Sequence, residues 1–151
     1  MARFSIDLTG RVKNFNLPKK QALIPLFEAI VNSIYAIEER DLNENGYIHI
    51  QIVREPQEVI KGLSKEINKI TGFIITDNGV GLNEPNMKSF LQSDSTYRAE
   101  KGGKGVGRFS WLKAFSKTEI SSIYKEEQNR WVKREFEFSL ENTEIDDRLV
   151  E

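Results

Sequence analysis

Residues 72–81, Gly-Phe-Ile-Ile-Thr-Asp-Asn-Gly-Val-Gly, run from a short apolar stretch straight into an acidic, glycine-containing turn. The apolar part, 72–76, does not alternate, so it predicts a strand covered on both faces. Asp77-Asn78-Gly79-Val80-Gly81 then stops it. A carboxylate at the end of a strand can accept a hydrogen bond from an exocyclic amine such as that of adenine. Glycines beside it let a flat ring lie against the backbone. On turn chemistry alone the same five residues also read as an ordinary glycine turn after a strand.

Downstream, residues 84–92 predict a short helix, with Asn83 as its cap and Pro85 near its start. Residues 93–107, Ser-Asp-Ser-Thr-Tyr-Arg-Ala-Glu-Lys-Gly-Gly-Lys-Gly-Val-Gly, form a long polar loop. Its end places four glycines within the six residues 102–107. The following Arg-Phe-Ser-Trp-Leu-Lys-Ala-Phe, apolar at Phe109, Leu112 and Phe115, predicts a buried helix. Glycine-rich backbone N–H groups leading into a helix N-terminus suit phosphate, and Lys104 and Arg108 could add full charges. The loop is not a Walker A motif, since Gly105 follows Lys104, and no strand leads into it as a dinucleotide-binding site requires. A flexible linker is the plainer alternative.

Upstream, Leu23, Leu26, Phe27, Ile30, Ile34 and Ile37 recur at helical spacing and give one apolar helix face, with Pro25 either bending the helix or opening its main part. Glu28 and Asn32, four apart, share a side at the margin of that face. There a carboxylate could take a proton from water, and an amide oxygen could bind Mg²⁺. An isolated Glu-x-x-x-Asn is also simply a solvated face. The opening 4–8 alternates as a short strand. Asn16 is a possible cap, and Pro18 sits near a first helical turn. Residues 47–53 alternate as a strand, 54–69 read as a hairpin loop or insertion, and 118–124 and 131–140 predict two more strands joined by a hairpin turn. The order helix, strand, strand, helix, loop, helix, strand, strand predicts an α+β sandwich whose open mixed sheet carries helices on one face.

Composition narrows the chemistry. The chain has 151 residues, 38% hydrophobic and 30% charged, which suits one domain. A net charge of −1 gives no general pull towards nucleic acid or anionic membrane. The absence of cysteine removes disulfide and thiolate chemistry, and the single histidine, His49, cannot build a histidine cluster. No apolar run reaches the roughly 20 residues of a membrane span, and the N-terminus lacks a signal core, so a cytoplasmic protein is expected.

Taken together and in this order, the three pieces resemble the ATP site of the GHKL superfamily, which includes DNA gyrase, the ninety-kilodalton heat-shock chaperone, histidine kinases and MutL-type repair proteins. Residues 28–36, Glu-Ala-Ile-Val-Asn-Ser-Ile-Tyr-Ala, match its N box, Asp77 to Gly81 its adenine motif, and Ser93 to Phe109 its lid and second glycine motif. The resemblance spans roughly residues 18 to 125. It implies the two-layer α/β sandwich of the Bergerat type, with ATP and Mg²⁺ as cofactors. Asp77 would contact the adenine amine, with Gly79 and Gly81 beside it. Asn32 would hold Mg²⁺, and Glu28 would be the general base. Gly103, Lys104, Gly105, Val106 and Gly107 would surround the phosphates, and Ser95 and Thr96 would approach from the lid.

The gyrase-, chaperone- and MutL-like branch fits best. ATP-driven lid closure would then act on a downstream domain of the same protein or a homodimer partner. A histidine-kinase-type domain acting in trans and a non-enzymatic nucleotide-binding module are the alternatives. Two features depart from the family. Tyr35-Ala36 stands where many members carry Asp-Ala. No Gly-Thr pair is present, although a Gly-Thr strand usually closes the family's sheet and its threonine supports the adenine-binding aspartate. The final strand is therefore expected to be missing, and the chain to be a single ATP-binding domain from the N-terminal part of a longer protein, weak or inactive in hydrolysis by itself.

Overall fold

A computed structural model describes residues 7–40, 45–56, 68–92, 107–126, 129–141, 145 and 148–150. In chain order these form helix α1 (Leu8–Asn14), a 3₁₀ turn (Lys19–Gln21), α2 (Ile24–Glu38), strands β1 (Ile48–Arg54) and β2 (Ile70–Asp77), helices α3 (Glu84–Leu91) and α4 (Gly107–Ala114), and strands β3 (Lys117–Lys125), β4 (Trp131–Ser139) and β5 (Arg148–Val150). The class is α+β, as the element order predicts.

Local signals explain most boundaries. Pro25 lies in the first turn of α2, where its missing N–H costs nothing, so it opens the helix rather than bending it. The Asn83 side chain accepts from the Asn86 N–H at 3.0 Å and caps α3. The chain start departs from expectation. Residues 4–6 lie outside the described residues, but Leu8 opens a helix rather than ending a strand, and Asp7 caps it by accepting from the Thr9 N–H at 3.0 Å. A cap outweighs so short an alternation. Asn16 caps nothing, and Pro18 precedes only the 3₁₀ turn.

The hydrogen-bonded strands form two separate antiparallel sheets, β1-β2 and β3-β4-β5, rather than one open mixed sheet among the described residues. In the first, Ile50 pairs with Ile75 and Ile52 with Phe73, and these side chains share the face that also carries Asp77. The opposite face carries Val53 and Ile74, both exposed. Ile74 is 51% exposed, whereas Phe73, Ile75 and Asp77 are half-buried, so β2 is partly covered on one side only. The reason is topological, since α2, which packs on β2, meets it on the Asp77 side. In the second sheet, Ile120 pairs with Phe136, Thr118 with Phe138 and Tyr124 with Val132, and this face is the buried one.

The core lies against the second sheet. Val12 of α1, Met87 of α3, Phe109 and Leu112 of α4, and Phe136 and Phe138 of β4 form one buried cluster. Phe90 meets Phe136 and Phe138 edge-on at 5.4 and 5.2 Å between ring centroids. Helix α2 is turned differently from its apolar spacing. Leu23, Phe27, Val31 and Ile34 are exposed, whereas Pro25 and Ser33 are buried. The side packed inward carries small residues, because a strand-end loop and α4 come close there.

Candidate functional site

The C-terminal end of β2 is held from two sides. Ser33 of α2 donates its hydroxyl to Asp77 Oδ2 at 2.7 Å, and the Gly79 N–H donates to Asp77 Oδ1 at 2.9 Å. Two of the roughly four lone-pair sites of the carboxylate are used, so it retains capacity for a further donor. Asn78 closes the base of the loop. Its side chain accepts from the Tyr47 N–H at 2.8 Å and donates to the Asn45 carbonyl at 2.9 Å, while Arg40 donates to the Asn78 carbonyl.

Both glycines of the turn are sterically required. The Val80 N–H donates to the Ala36 carbonyl at 2.9 Å. A Cβ on Gly79 would stand 2.5 Å from the Ala36 backbone carbon, so loop and helix touch with no room for a side chain. Gly81 has φ +76° and packs on the Ile123 carbonyl and the Ser122 hydroxyl of β3. Immediately after it, Ser122 Oγ accepts from the Leu82 N–H at 2.7 Å, and the Arg134 guanidinium donates to the Leu82 carbonyl at 2.9 Å. Arg134 is 1% exposed. It also binds Glu84 Oε1 at 2.5 Å and lies over the Tyr124 ring, 5.1 Å from its centroid. Burial pushes the Tyr124 hydroxyl above its ordinary value, while the Arg134 charge opposes this.

A cleft of about 1510 Å³ opens along this loop, between the edge of β2 and the edge of β3. One wall is the small-residue side of α2, with Glu28, Ala29, Asn32, Ser33 and Ala36; its far end is the start of α4, with Gly107 and Arg108. Glu28, Asn32, Asp77, Gly79, Gly81 and Gly107, distant in sequence, thus line one space. The Glu28 carboxylate presses on Gly107, where a Cβ would stand 2.6 Å from Glu28 Cδ. Trp111 fixes the two helices together by donating its indole N–H to the Pro25 carbonyl at 3.0 Å. Ser95, Thr96, Gly103, Lys104, Gly105 and Val106 lie outside the described residues.

Arg108 is the cation of this rim. Its guanidinium stands 5.4 Å from the Phe90 ring centroid and 5.3 Å from that of Phe109, and donates to the Gln92 carbonyl at 2.5 Å. Burial lowers its pKa to about 10.

Several of these residues are not legible from motif spacing. Ser33 holds Asp77 through its hydroxyl, a contact that the spacing of the motifs does not reveal. The signal for it is the run Ala29, Ser33, Ala36, small residues at helical spacing that permit close approach. Arg134 is an arginine in an alternating strand, and nothing local marks it as buried.

Compared with family models, curated proteins and solved structures, the chain matches none. Among the described residues no helix is long and apolar enough to cross a membrane. Nor do three or more His, Asp or Glu side chains cluster there as a metal site would need.

Proposed function

We propose that the cleft binds ATP with Mg²⁺ and that the chain is a nucleotide-binding, ATP-hydrolysing module of GHKL type. The observation that supports this is that Glu28 and Asn32, the Asp77–Gly81 turn, and Gly107 with Arg108, far apart in the chain, line one cleft beside an oriented carboxylate. Asp77, fixed by Ser33 and Gly79, is suited to the adenine amine, and the side-chain-free surface at Gly79 and Gly81 is suited to a flat base. Asn32, on the same wall of α2, offers the amide oxygen that a hard ion such as Mg²⁺ prefers. The ion would neutralise phosphate charge. Glu28, one helical turn earlier, is the group to accept a proton from an attacking water. Binding would order the surroundings of the cleft and act on a further domain or a second copy of the chain.

Calorimetry with Mg-ATP tests the binding. Losing the charge of Asp77 in Asp77→Asn removes a charge-assisted bond, so affinity should fall about tenfold to a hundredfold. Equal, tight binding by both proteins would contradict the adenine role of Asp77. Glu28→Ala should retain ATP and lose phosphate release; unchanged turnover in that variant removes Glu28 from the reaction.

A further inference from the structure

Among the described residues, Arg108 is a cation without an anionic partner. Its contacts among them are two aromatic faces and one backbone carbonyl, and no carboxylate pairs with it there. The carbonyl of Gln92 engages one of the five guanidinium N–H donors. Aromatic faces compensate a cation only weakly compared with an anion. Desolvation without a counter-charge is costly, and it is why the pKa of this side chain drops to about 10. Arg134, which is fully buried, has the opposite arrangement, with a carboxylate at 2.5 Å.

The position of Arg108 identifies what would complete it. It follows Gly107 at the end of the cleft that also holds Glu28 and Asn32. Phe90 and Phe109 hold the guanidinium before any ligand arrives, so little freedom is lost on binding. A planar fork of donors matches the paired oxygens of a phosphate better than those of any neutral group.

We propose that Arg108 is the phosphate-recognising cation of the cleft and makes affinity depend on the number of phosphates the nucleotide carries. The inference rests on the nucleotide-binding function proposed above. It assigns Arg108 a binding role distinct from that of Asp77, which contacts the base, and of Glu28, which acts on water.

The test is calorimetry of the full chain with Mg-ATP, AMP and adenosine, for the wild type, Arg108→Gln and Arg108→Lys. Arg108→Gln should weaken ATP about tenfold to a hundredfold, and Arg108→Lys should recover part of the loss as a point charge. Adenosine affinity should be unchanged in both. If Arg108→Gln keeps the wild-type ratio of ATP to adenosine affinity, the role of Arg108 is overturned while nucleotide binding stands. If the wild type binds none of the three ligands, the nucleotide function itself fails and this inference with it. Should the variants not fold, as circular dichroism would show, phenylglyoxal modification of the wild type decides. Shielding of Arg108 by Mg-ATP but not by adenosine supports the role, and equal labelling of Arg108 under saturating Mg-ATP overturns it.

Discussion

The closeness of Glu28 to Gly107 gives a way to separate two functions that glycine serves at the start of α4. A methyl group on Gly107 would overlap the Glu28 carboxylate, the movable end of a flexible side chain, while the backbone N–H would remain. Gly107→Ala should therefore keep the fold and nucleotide affinity but displace the proposed base. A shift of about 1 Å at such a group costs on the order of a hundredfold in rate. Steady-state hydrolysis beside calorimetry checks this, and a variant that loses binding before turnover would contradict it. Gly81 is constrained differently. With φ +76° and the Ile123 carbonyl against its Cα, Gly81→Ala meets rigid backbone and should cost about 1–3 kcal/mol in a urea melt.

Among the elements, α2 serves the site with its small-residue side. Ser33→Ala removes the hydroxyl that orients Asp77, a bond to a charged group worth about 1.5–3 kcal/mol. Both thermal stability and ATP affinity should fall, and loss of stability alone would mean that Asp77 does not face the ligand. Sequence periodicity located α2, α3, α4 and four of the strands well, because caps, prolines and alternation are local signals. It misjudged which side of α2 is inward: Phe27 is 55% exposed although it sits in the apolar stripe. The orientation of a helix is set by what approaches it, here Gly79 and Gly107, and that depends on contacts distant in sequence. Helix α1 was missed because a single cap at Asp7 determined it, and three-residue β5 offers too little pattern to detect. That Glu28, Asn32, Asp77, Gly79, Gly81 and Gly107 share one cleft follows motifs legible in the sequence. Ser33 lies within the 28–36 motif, but its bond to Asp77, like the contacts of Arg134, is tertiary and was not legible.

At the scale of the whole molecule, the glycine loop joins the α2 side to the second sheet, and Arg134 is the main fastening there. Arg134→Met would leave the Leu82 carbonyl without its guanidinium donor, while Glu84, 71% exposed at its side chain, returns to water. The cost should be about 1–3 kcal/mol, read from denaturant melts. Tyr124 adds a pH dependence. Below about pH 10 its hydroxyl is protonated in the folded and unfolded chain alike; above that the unfolded chain ionises first, so stability falls as pH rises. Arg108, with its pKa lowered to about 10, acts in the opposite direction above that pH, so the comparison must be with Tyr124→Phe, whose alkaline loss should be the smaller. The division into two sheets has a further consequence for the order in which the molecule comes apart. Among the described strands β4 alone is paired on both sides, by β3 and β5, whereas β2 is paired only with β1. Amide hydrogens of β4 should therefore exchange with solvent last, at rates set by global opening, and those of β2 much earlier, through local separation of the β1-β2 ribbon. A ligand lodged in the cleft would slow the β2 amides selectively, turning a map of exchange times into a direct picture of where the molecule is clamped.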